Sequence, residues 1–167
     1  MKKKIVLVAL LIALVAVPAF SAKSLVSDNS GFAIGLNLGT NTGVGMSYKM
    51  KDFTLAGNVG FGLLSLPDMN INVDVFALYD VYAIELDRQN KLPISLGVGG
   101  SANIAFPENA DAQFSLAALG LAQIAYTFPK APFELYLRLG LGYNMAFAPE
   151  FSGKLGWTGA LGCLYHF

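Results

Sequence analysis

The chain reads as an all-β protein: an antiparallel, up-and-down transmembrane β-barrel of about eight strands, preceded by a cleaved leader. Three observations predict it. Apolar and small or polar residues alternate with period two in eight successive segments. Hydrophobic residues make 54% of the chain and charged residues only 13%, far below what a soluble surface carries. The N-terminus has the build of an export signal.

The leader comes first. Lys2, Lys3 and Lys4 form a basic start, and Ile5 to Val17 is an unbroken apolar run that Pro18 ends. Small residues follow at Ala19, Ser21 and Ala22. The run is too short for a spanning helix, which needs about 20 apolar residues. Cleavage after Ser21 places Ala19 and Ser21 where small side chains are preferred, giving a signal peptide over 1–21 and a barrel domain over 22–167. No cysteine lies near the cut to take a lipid. Removing three lysines leaves 8 basic against 11 acidic residues, a net charge near −3. That balance offers no basic patch for nucleic acid. Cys163 is the only cysteine, so no internal disulfide supports this small exported chain.

The first strand is predicted over Phe32–Gly39, where Phe32, Ile34, Leu36 and Leu38 oppose Ala33, Gly35, Asn37 and Gly39. The second, Gly43–Met50, sets Val44, Met46, Tyr48 and Met50 against Gly45, Ser47 and Lys49. The third runs over Phe53–Leu63. The fourth, Ile71–Leu86, places Asn72, Asp74, Phe76, Leu78, Asp80 and Tyr82 on one parity. The fifth is Ile94–Phe106. The sixth, Phe114–Phe128, is least regular: Leu119 and Leu121 fall on the polar parity, which allows a bulge. The seventh, Phe133–Phe147, alternates throughout. The eighth starts near Leu155 and ends at Phe167. Turn-forming residues separate them at Thr40–Thr42, Lys51–Asp52, Ser65–Asn70, Asp87–Pro93, Pro107–Gln113, Pro129–Pro132 and Ala148–Ser152.

Alternation alone fits a soluble barrel or sandwich, so polarity decides. The smaller face is mostly Gly, Ala, Ser, Thr and Asn, too poorly charged for an exterior in water but suited to a narrow lumen. The bulky aliphatic face suits acyl chains. A helical span over Phe114–Phe128 is the rival; it is short, ends at Pro129 and has period-two neighbours. Aromatic residues add a test. With both termini at one membrane face, Tyr48, Phe53, Tyr126, Phe128, Phe133, Tyr165 and Phe167 gather near that face as a girdle. Phe61, Phe106, Phe114 and Phe147 form the opposite one. Ten residues per strand, roughly 3.3 Å each and tilted near 40°, span about 25 Å.

The terminal Phe167, with Tyr165, Gly162 and the alternating run back to Trp157, resembles the C-terminal signature of bacterial outer-membrane barrels; Ala160 departs from the polar residue usual two before the glycine. The mature chain resembles in pattern and size the small eight-stranded class, such as the membrane domain of outer membrane protein A and the OmpX and OmpW types. The resemblance implies export by the Sec pathway, outer-membrane lipid as surroundings, and a barrel-assembly machinery that reads Phe167, Tyr165 and Gly162. It implies a structural or limited small-solute or ion passage role, with no cofactor.

Inward ionisable residues are the candidate site: Asp74 and Lys154 toward the outer side, Asp80 and Arg138 nearer the middle, and Lys49, Glu134 and His166 toward the periplasm. Charges confined in a lumen must be paired or hydrated. A network centred on Asp80 and Arg138 is expected, acting as a gate or as a plug that only stabilises. Inward glycines are expected to make room for Phe76, Leu78, Tyr82, Leu119 and Tyr136. An adhesin would need long outer loops, and the turns near Asn41, Asp68, Glu108 and Glu150 are short. A lipid-modifying enzyme is the third class; His166, the only histidine, lies at the wrong end for outer-leaflet chemistry. Cys163 reads as a small hydrophobe, and no metal-ligand cluster is present.

Overall fold

The computed structural model describes residues 31–51, 53–62, 69–87, 90–107, 112–147 and 151–167. The expected leader and its cut lie outside these residues, as do the expected turns at Asp68, Glu108 and Glu150. Eight strands follow in order: β1 Gly31–Gly39, β2 Thr42–Met50, β3 Phe53–Phe61, β4 Met69–Asp87, β5 Asn90–Phe106, β6 Gln113–Thr127, β7 Phe133–Ala146 and β8 Ser152–His166. Each pairs antiparallel with the next, and β1 pairs with β8, so the sheet closes. The segment expected to rival a helix, Phe114–Phe128, is strand β6. Among the described residues no helix is long and apolar enough to cross a membrane.

Register fixes the barrel's shape. Following partners from Ile34 through Met46, Gly57, Val75, Gly100, Ala118 and Tyr143 leads to Leu155. Ile34 itself pairs with Tyr165, ten residues further along β8. For eight strands this stagger gives a tilt near 40° and a backbone radius of about 8 Å. Such a lumen is filled by side chains.

Burial is inside-out. Among the described residues the buried set holds ten polar or charged residues against eight hydrophobic ones. Large apolar side chains face outward on every strand, with Leu141 at 73% and Leu155 at 85% exposure. The alternation therefore sorts Asn, Ser and the ionisable groups inward, and Leu, Val, Ile and most aromatics outward.

One expectation of facing and one of a bulge need correction. Tyr82 turns outward and is 65% exposed, because the register with β5 shifts between Asp80 and Tyr82. Asp80 pairs with Ser95 and Tyr82 with Ile94, leaving Val81 as the extra residue of a bulge. In β6 no bulge forms: its register with β5 and β7 is continuous. Leu119 and Leu121 simply point inward, each between two glycines. Gly99 and Gly142 flank Leu119; Gly97 and Gly140 flank Leu121.

Strand lengths also differ from the even ten. β1 to β3 have nine residues each, while β4 has 19 and β5 has 17. The expected turn at Asp87–Pro93 contracts, because β4 runs to Asp87 and β5 starts at Asn90. Pro93 fits there because it pairs only with Ala83; β6 joins β5 from Ile94 onward. This hairpin extends beyond the barrel at its terminal end, where β1 starts and β8 finishes. At the other end, allowing for tilt, β4 to β8 rise about five residues above β1 to β3.

Aromatic side chains collect at both ends. Phe32–Phe167, Tyr165–Phe167, Phe133–Tyr165 and Tyr126–Phe128 have ring centroids 5.0–6.0 Å apart near the termini. Phe114–Phe147 and Phe147–Phe151 do so at the far end. Tyr48 and Phe53 lie at the same level as the first group, on the adjacent ends of β2 and β3.

Candidate functional site

The lumen is layered. At the terminal end, Lys49 on β2 bonds Asp80 on β4 at 2.8 Å, and Ser95 on β5 donates to Asp80 at 2.6 Å. Glu134 on β7 accepts from Thr127 at 3.2 Å and lies 3.2 Å from His166 Nε2. The Lys49–Asp80 and Glu134–His166 side chains are each less than one-fifth exposed, so both contacts are partly shielded from water.

Above them the lumen is blocked. Phe76, Leu78, Leu121 and Ala56 form one cluster, with Leu119 packed against it; Tyr136, Ala33, Ala125 and Leu164 form another. The Arg138 guanidinium sits between the Phe76 and Tyr136 rings, 4.6 and 4.7 Å from their centroids. Cation–π attraction strengthens where water is excluded, and Arg138 is only 4% exposed. Its Nε donates to Gln123 Oε1 at 2.8 Å, while one terminal nitrogen finds no protein partner. Beneath the guanidinium lies a cavity of about 10 Å³, room for about one water.

Glycine makes this blockage possible. A Cβ on Gly162 would stand 2.2 Å from the Tyr136 ring, and one on Gly99 would stand 2.4 Å from Phe76. On Gly97 it would meet Leu78 at 2.8 Å, and on Gly140 it would meet Leu121 at 2.6 Å. Bulky inward residues are thus matched across the ladder by residues without side chains.

Over the plug lies an amide layer. Asn41 donates to Asp74 at 2.6 Å, Asn58 reaches the same oxygen at 3.5 Å, and Asn37 donates to the Asn41 carbonyl. Asp74 thus has its charge met by amide donors. Higher still, the lumen widens into a cup of about 500 Å³ on the β4–β8 side. Asn103 donates to Asn72 at 2.7 Å in its wall. Lys154 stands at the rim, exposed and without an ion pair among the described residues.

The expected network is therefore differently wired. Asp80 and Arg138 do not pair: Asp80 sits lower than expected and takes Lys49, while the Arg138 guanidinium is held by the Phe76 and Tyr136 rings and Gln123. Asp74 and Lys154 do not pair either. Lys49 with Asp80, and Glu134 with His166, are brought together. Sequence reading missed Gln123, Ser95 and the Asn37–Asn41–Asn58 layer, although Gln123, Ser95, Asn37 and Asn58 fall on the inward parity; Asn41 lies in the turn between β1 and β2. Cys163 faces outward and is exposed. Phe167 and Tyr165 hold adjacent rings at the end of β8, and Gly162 lies under Tyr136. Comparison with known families, curated proteins and solved structures returns no match to this chain.

Proposed function

We propose that this chain is an integral outer-membrane barrel with a structural role, whose lumen admits at most limited passage of water or small ions. One observation carries the reading: polar side chains are enclosed and apolar ones cover the outside. In water that exterior would be an aggregation surface; in a bilayer it is the required one. Closing β1 on β8 leaves the strands paired round the full ring, which hydrocarbon demands. The aromatic rings at both ends fit two interfacial girdles. The Phe76–Arg138–Tyr136 stack supports a closed lumen rather than an open pore.

The test is refolding of the mature chain into vesicles, with heat-modifiable gel migration as the fold control and planar-bilayer conductance as the readout. The folded wild type is expected to conduct rarely and weakly. Arg138→Ala, which unstacks the plug, is expected to conduct more. Steady pore-like current from the wild type would contradict the closed lumen, and silence in both would remove any gate. A protein that stays soluble and never enters vesicles would contradict the membrane reading. A second reading, a surface-binding barrel, is favoured by the polar cup at the mouth away from the termini.

A further inference from the structure

We propose that the cup binds a hydroxyl-rich saccharide group. The inference deepens the surface-binding reading. Its volume of about 500 Å³ falls within the range of about 300–1,000 Å³ typical of small-ligand sites. The wall chemistry selects the class. Asn72, Asn103, Gln113 and Asn144 contribute primary amides, and Ser101 and Ser115 contribute hydroxyls. Each amide carries two donor hydrogens beside an acceptor oxygen, which matches paired hydroxyls that both give and take hydrogen bonds. Ala117 and Ala146 keep the space between them open.

Other classes fit less well. Among the lining residues Lys154 is the only charged one, so an ammonium finds no carboxylate and a phosphate finds a single cation. The cluster of apolar residues lies lower, in the plug, so a hydrophobe gains no floor. The wall also holds unspent capacity. Asn144 Oδ1 is buried without a hydrogen-bond donor. A buried acceptor left unmatched is costly, so rotation of the Asn144 amide toward a ligand hydroxyl in the cup is favoured. The saccharide could be free or the headgroup of a glycolipid in the adjoining leaflet; both present the same hydroxyls.

The experiment uses the mature chain refolded in phosphatidylcholine nanodiscs, with side-chain amide signals followed by NMR. Maltose is titrated in one arm; a galactosyl diglyceride is incorporated in the other. The expected result is saturable shifts of the Asn72, Asn103, Gln113 and Asn144 amides, with Gln123 and Asn58 below the cup unmoved. A response to maltose identifies a free-sugar site, and a response to the galactolipid alone identifies a headgroup site. Asn103→Leu and Asn144→Leu should each weaken the response about tenfold, the loss typical of a removed ligand hydrogen bond. No shift in either arm, with folding verified by heat-modifiable migration, would overturn the proposal. So would a response in both variants as strong as in the wild type, or a stronger response to inorganic phosphate than to either sugar. Failure to enter nanodiscs would instead count against the membrane reading, and the maltose arm would then be run in detergent.

Discussion

At the level of single residues, space inside the barrel is set by where glycine stands. Gly162 and Gly156 lie on the same face of β8 but in opposite situations. The Tyr136 ring occupies the space a Cβ would need at Gly162, whereas nothing lies within 4 Å of one at Gly156. Gly162→Ala should destabilise by about 1–3 kcal/mol through overpacking. Gly156→Ala should be neutral or slightly stabilising, since glycine is a poor strand residue. Urea unfolding in vesicles, read by intrinsic fluorescence, checks both. Equal effects would mean the Tyr136 contact does not hold. The steric demand is a reason for Gly162 separate from any role in the assembly signal. The ion pair invites a similar test. Lys49→Met leaves Asp80 in a mostly shielded site with Ser95 as its remaining donor, and should cost about 1–3 kcal/mol. Most of the inward set was legible from parity, Asp80 and Arg138 included. Their partners were not. Parity states which side of the sheet a group occupies, while stagger between strands sets its height, and only height decides whether Asp80 meets Lys49 or Arg138.

Among the elements, β4 and β5 depart furthest from a minimal span. Their hairpin carries Val81, Tyr82, Ile84 and Leu86, all exposed, and a surface Glu85–Lys91 pair at 3.4 Å. Replacing the hairpin beyond the Ala83–Pro93 pair with a two-residue Asn-Gly turn should leave folding intact and change stability by less than about 1 kcal/mol, because surface changes outside packed contacts are usually small. Heat-modifiable migration and urea midpoints measure it. A shortened chain that no longer folds would show that the hairpin belongs to the barrel's stability. Segment existence and order were readable for all eight strands, because eight alternating runs separated by turn residues leave few other arrangements. The boundaries of β4 and β5 were not. Pro93 and Asp87 look like turn residues, yet Pro93 has no neighbouring strand on its free side, and there a missing N–H costs nothing. The Asp80–Tyr82 shift was equally hidden: a bulge adds one residue without breaking the apolar run, and it reversed the facing of Tyr82. At Leu119 and Leu121 the irregular parity suggested a bulge, but the glycines of neighbouring strands leave room for both side chains inside the barrel without one.

For the whole molecule, one polarity organises everything else: hydrophilic groups enclosed, greasy groups outermost. Leu139 lies near mid-height on β7 and is 56% exposed on the outer face. Leu139→Arg should cost about 2–4 kcal/mol of stability in a bilayer, as charges on the lipid face near the midplane do. Trp157 gives the most direct measurement, because it is the only tryptophan and points outward from β8 at 66% exposure. In the wild type refolded into vesicles, its emission should be blue-shifted, quenched by brominated acyl chains and protected from iodide. Red-shifted emission that iodide quenches and brominated lipid does not would contradict the account.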